Sequence, residues 1–155
     1  MLMRTLLLLS VVTFHYAAIC QSARFIPDSS ILFQVSKGKE LLKDCSGSEY
    51  QHVVDSFWIP SQSQYLELQR SFSKLANQSI IVDNYIIQFL GIVLNGKQYI
   101  YINAFPKGEL DEFKRANQDL ATSAVIVCGG GRGFWRTLFD VDLKEFIGMR
   151  FNAPK

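Results

Sequence analysis

Apolar and polar positions change period along the chain, and each change marks an element. The clearest run begins after Pro60. Ser61 and Gln64 have the S-x-x-Q spacing of a capping box, in which each side chain satisfies an orphan backbone donor of the first helical turn. Tyr65, Leu68, Phe72 and Leu75 then recur at helical spacing, with Glu67, Gln69, Arg70, Ser73 and Lys74 on the opposite side and Asn77 as a plausible terminator. The pattern predicts a helix over 62–76. The period then shortens. Residues 85–94 are rich in Ile, Val and Phe, Asn95-Gly96 follows, and 97–105 form a second β-rich run. Asn-Gly between two such runs predicts a type I′ hairpin, because both turn positions need positive φ. In the second run Ile100, Ile102 and Ala104 share one face, suited to a core beneath the helix. Tyr99, Tyr101 and Asn103 share the other, which reads as aromatic but wettable.

The remaining segments are less regular. Residues 21–30 read as an irregular leader, 31–42 as a broken or short helix, and 45–50 as a turn. Residues 53–59 are apolar, carry Phe57 and Trp58, and end at Pro60. After a break at 106–108, residues 109–120 read as a short surface helix or an ordered loop. A third strand is predicted at 124–128, a glycine turn at 129–133, a fourth strand at 134–140 and a fifth at 146–151, with a hairpin connection at 140–145.

One helix followed by strands joined through hairpins rather than helical crossovers defines an α+β fold. The expected architecture is an antiparallel meander of four to five strands packed on one main helix. Cystatin-like and NTF2-like domains share this layer plan, as an analogy of architecture that carries no function. The cystatin motif Q-x-V-x-G is absent, since Gln34-Val35-Ser36-Lys37-Gly38 has its valine in the wrong place. No internal repeat is visible.

The start of the chain stands apart. Arg4 is the only charge in the first 23 residues, and an apolar run opens at Leu6 and reaches Ile19. That run is shorter than the roughly 20 residues a membrane-spanning helix needs, so residues 1–20 read as a secretory signal peptide and 21–155 as a single exported domain, with no transmembrane span in the mature chain. Cleavage after Ser22 is the close alternative. A retained signal anchor and a lipid anchor on Cys20 are competing readings; bulky Ile19 before that cysteine speaks against the lipid anchor.

Composition then narrows the chemistry. With 48% hydrophobic residues the chain is not intrinsically disordered. Its 16 basic residues against 14 acidic ones become 15 against 14 once Arg4 is set aside, which argues against a nucleic-acid binder working through a basic field. Of three cysteines and two histidines, Cys45, Cys128 and His52 lie outside the leader. Cys45 and Cys128 are candidate disulfide partners in an oxidising compartment, or two unlinked apolar cysteines. The three residues lack the paired spacing of a structural zinc site, and nothing local supports a Cys–His nucleophile, so neither metal nor cofactor is expected. The glycines at 129–133 miss the G-x-G-x-x-G fingerprint at Phe134 and lead into a strand, leaving a flexible turn or, less economically, an anion nest. Asp140 and Asp142 are explained as turn residues more cheaply than as cation ligands. Asn77-Gln78-Ser79 is an N-glycosylation sequon that matters only in a eukaryotic secretory pathway.

The adjacent aromatics Phe57-Trp58 and Phe134-Trp135 are the most suggestive residues, because neighbours in a strand face opposite ways and one of each pair should point outward. Tyr99, Tyr101, Arg132, Trp135 and Arg136 have the composition of a recognition face. The competing reading, and the more economical one, is that a second layer, for instance the N-terminal segment, covers this face. The leading expectation is a small exported binding or inhibitor-type module without catalysis, its protein or small-ligand partner unspecified. The alternatives are a small enzyme with a pocket inside a curved sheet, using His52, Asp55 or Asp83, and a structural component of an envelope or extracellular assembly.

Overall fold

The computed structural model describes residues 30–43, 50 and 53–154. The leader residues 1–20, with Cys20, lie outside that range, as do Cys45 and His52. The fold is α+β, with three α-helices and one six-stranded mixed sheet among the described residues. The strands are β1 (Ser30–Leu32), β2 (Val54–Trp58), β3 (Tyr85–Leu94), β4 (Lys97–Pro106), β5 (Trp135–Asp140) and β6 (Glu145–Phe151). The helices are α1 (Gly38–Leu41), α2 (Gln62–Ser71) and α3 (Leu110–Arg115).

Strands β3 to β6 form the expected antiparallel succession. The sheet as a whole is not a pure meander, because two N-terminal strands share the free edge of β3. β1 runs parallel to its first half, pairing Ile31 with Gln88, and β2 runs antiparallel to its second half, pairing Trp58 with Gly91. Gly91 is needed for that approach: a Cβ there would lie 2.4 Å from the Trp58 ring and 2.6 Å from the Trp58 carbonyl oxygen. The Asn95-Gly96 turn has the two positive φ values of the type I′ geometry, 50° and 74°.

The helix begins as its sequence dictates. The Ser61 hydroxyl accepts from the Gln64 amide while the Gln64 side chain accepts from the Ser61 amide. The α-helix tightens after Ser71 into a 3₁₀ turn over Phe72–Gln78 and stops at Ser79, in the left-handed conformation, two residues beyond Asn77. Leu68, Phe72 and Leu75 bury against Ile87, Phe89, Ile100, Ile102 and Phe139 on one face of the sheet.

The opposite face is covered too, and this overturns the wettable reading of Tyr99, Tyr101 and Asn103. Phe33, Leu41 and Leu42 pack over Leu90, Ile92, Tyr101 and Leu138, while Val125 packs beside Ile86, Phe105 and Phe134 with Leu110, Phe113 and Leu120 at its margin. The sheet is the middle of three layers. Each aromatic pair therefore splits between two interiors, not between core and solvent. Trp58 and Trp135 face the helix, whereas Phe57 and Phe134 face the opposite layer.

Two further expectations are corrected. Residues 31–42 begin with β1 before the short helical turns, so that segment is not simply a broken helix. Residues 124–128 do not form a strand. Their backbone bonds to side chains instead of a neighbouring strand: the Val125 amide donates to the buried Gln88 side chain at 2.9 Å, and the Val125 carbonyl accepts from the Asn103 amide group at 3.0 Å. Gln88 also donates to the carbonyls of Leu120 and Ser123 and accepts from Asn103. This polar pin holds the long connection between β4 and β5 over the sheet without a ladder.

Candidate functional site

The five residues expected on one recognition face are divided by the sheet. Ala104 pairs with Trp135 and Tyr101 with Leu138, so Trp135 lies on the helix face and Tyr101 on the other. Trp135 is fully buried against Tyr85, with ring centroids 5.5 Å apart, and Tyr101 is only 2% exposed. A single exposed surface containing both does not form. Arg132 is exposed but engaged on the helix side, where its guanidinium sits 4.0 Å from the Phe151 ring centroid and donates to the Gln78 carbonyl. Tyr99 is half-buried beside the second core cluster, with the Lys97 ammonium 5.6 Å from its ring centroid.

Tyr101 and Arg136 do meet. They line a small, nearly closed cavity of about 20 Å³ together with Tyr50, Gly148 and Arg150. Its geometry follows from a β-bulge. Arg136 pairs with Arg150 and Leu138 with Ile147, so Thr137 opposes two residues of β6, Gly148 and Met149. Gly148 takes a φ of 63° there, and a Cβ on it would lie 3.2 Å from the Tyr50 hydroxyl. The ladder pair places Arg136 and Arg150 beside one another at the cavity, and the glycine of the adjacent bulge leaves room for the Tyr50 phenol. The Tyr50 and Tyr101 rings meet edge to face at 6.2 Å. Tyr50, Tyr101, Arg136 and Arg150 are all engaged by contacts within the protein. Tyr50 and Arg150 carried no sequence signal, but the isolated glycine inside the β6 pattern is one that marks a bulge.

The other candidates resolve into structural roles. Asp140 is buried and organises the β5–β6 turn. Burial by itself would raise its pKa, but the Leu143 amide, the Lys97 ammonium at 2.6 Å and the Asp142 amide all stabilise its charge, leaving it below the usual carboxylate value. Lys97 is raised in turn by its bond to Asp140. Asp55 accepts from the Gly96 amide at 2.9 Å and locks the hairpin to β2. The glycine segment turns through Gly130 and Gly131, and the amides of Gly131 and Gly133 already donate to the carbonyls of Ala153 and Gly130. Asn77 is exposed. Among the described residues no three His, Cys, Asp or Glu side chains converge as metal ligands, and no helix is long and apolar enough to cross a membrane.

A second concavity, about 620 Å³, lies on the outer side of α2 and contains Asp83. No protein-family model matches the chain, and no curated protein or solved structure shows significant similarity to it.

Proposed function

We propose that the chain is a small exported binding module without catalysis, which engages its partner at the Tyr–Arg cavity of the β5–β6 bulge. The observation that carries this reading is the convergence of Arg136, Arg150, Tyr50 and Tyr101 on one enclosed rim. Tyrosine and arginine are the residues that most often anchor recognition, and a bulge is a common device for aiming side chains at a functional site. The rival enzyme reading needs a pocket between helix and sheet, and Leu68, Phe72 and Leu75 fill that space. A role in an envelope or extracellular assembly remains a form of the same binding function. A Cys45–Cys128 bridge is part of the same proposal; Cys45 lies outside the described residues.

The test compares wild type with an Arg136→Ser/Arg150→Ser double variant. Both are immobilised and exposed to the extracellular and envelope fractions of the source cells. The reading expects a captured species that the variant loses while its melting curve stays cooperative. Equal capture by a folded double variant would falsify it.

A further inference from the structure

Asn77 has no duty in the fold. Helical spacing makes it a plausible terminator, but the left-handed residue that ends the 3₁₀ turn is Ser79, with a φ of 59°. Backbone groups alone close that turn: the Ser79 amide donates to the Ala76 carbonyl and the Ile80 amide to the Leu75 carbonyl. Arg132 steadies it from outside by donating to the Gln78 carbonyl at 3.0 Å. Among the described residues, neither the Asn77 amide group nor the Ser79 hydroxyl takes part in a hydrogen bond.

Most other asparagines are committed. Asn95 and Asn117 take positive φ, and the side chains of Asn103 and Asn152 donate to carbonyls. Asn77 is also the only asparagine of the sequence followed two residues later by Ser or Thr, and the residue between, Gln78, is not proline. Its surroundings are open. Residues 76–79 are all exposed, whereas Leu75 and Ile80 on either side are buried in the helix-side core. The triplet therefore sits on an exposed turn anchored at both ends, and a bulky group on the Asn77 Nδ2 reaches solvent without moving a buried side chain.

We propose that Asn77 is the acceptor of an N-linked glycan. The proposal rests on the exported reading, because the sugar is added where a chain enters a secretory lumen. The donor is an oligosaccharide carried on a lipid diphosphate. Asn77 Nδ2 attacks the anomeric carbon of its first sugar. A carbon–nitrogen bond forms there, the carbon–oxygen bond to the diphosphate breaks, the lipid diphosphate leaves with the electron pair, and the amide gives up one proton. The acceptor turn continues α2 on one side of the sheet and Tyr101 lies on the other, so the glycan leaves the Tyr–Arg cavity open.

The experiment is mass spectrometry of the protein recovered from its source cells, with the extracellular and cell-associated fractions kept apart, before and after peptide N-glycosidase. The extracellular chain is expected to exceed its sequence mass by one oligosaccharide and to lose that excess to the enzyme, with the Asn77 amide converted to a carboxyl. Asn77→Gln and Ser79→Gly, made in the same cells, should both be recovered without the excess. Glycine removes the hydroxyl yet suits the left-handed φ at that position, so both variants should keep a cooperative melting curve by circular dichroism. An extracellular wild-type chain without sugar overturns the proposal and leaves the exported reading standing. A chain found only inside the cells overturns both. An oligosaccharide that persists on a folded Asn77→Gln variant overturns the assignment to this residue.

Discussion

Replacing Gln88 with Leu removes the pin that holds the β4–β5 connection and tests whether that connection is fastened as described. The side chain is fully buried on β3 and makes four hydrogen bonds, to Leu120, Ser123, Val125 and Asn103. Leucine keeps the volume and makes none of them. The buried Val125 amide then loses its acceptor, at a cost of about 1–3 kcal/mol. The Asn103 amide group keeps its bond to the Val125 carbonyl but loses one of two acceptors, about 1 kcal/mol more. The carbonyls of Leu120 and Ser123 belong to half-buried residues and can find water, while the leucine recovers about 1 kcal/mol of apolar burial. The net loss is about 2 kcal/mol, a lowering of the melting temperature by about 7 °C for a domain of this size. Native-state hydrogen exchange locates the effect: the Val125 amide should lose protection while the amides of β3 and β4 keep theirs. A Gln88→Leu/Asn103→Leu pair should cost less than the two single changes summed, because it removes both ends of one bond. A melting temperature within about 3 °C of wild type, with Val125 still protected, refutes the reasoning.

Three other outcomes follow from the same geometry. Gly91→Ala sets a methyl against both the ring and the backbone of Trp58, so β2 should detach, with a red shift in tryptophan emission and a loss of about 2–3 kcal/mol in urea unfolding; unchanged emission and midpoint would contradict the close approach. Trp135→Ala should cost about 3–5 kcal/mol because it empties a fully buried site, and a folded, fully stable variant would revive the exposed-face reading. Asp140 has a lowered pKa in the folded state, so the stability it adds is complete above the ordinary carboxylate value of about 3.9 and is lost as pH falls from there through the folded-state value. Asp140→Asn should therefore unfold with a shallower dependence on acid than wild type, and parallel acid titrations of the two proteins would count against the assignment.

How much of this was legible in the sequence depended on whether a signal was local. The capping box at Ser61 and Gln64, the stripe from Tyr65 to Leu75 and the Asn95-Gly96 turn each encode their structure within a few residues, and each forms as read. The α+β class follows from them. The place of β1 and β2 does not, because pairing along one edge of β3 is settled by contacts distant in sequence. Residues 124–128 were misread for a related reason. Their Val-Ile-Val composition favours a strand, but Gln88 and Asn103 had already taken the hydrogen bonds that a ladder would have used.

The covered second face was partly written in β3. Tyr85–Leu94 is apolar at nearly every position instead of alternating, which is the mark of a strand buried on both sides. β4 alternates Ile with Tyr and Asn, a pattern that reads as core against water but here separates two interiors. The consequence for function is direct. The central strands are enclosed on both faces, so the proposed binding function places its contacts where the regular pattern breaks. The β5–β6 bulge is one such place, and there Gly148 lets Tyr50 approach while Arg136 and Arg150 share a rim. Tyr101 and Arg136 kept their place in the candidate site because they border an irregularity, and Trp135 lost its place because its strand position is regular and fully packed.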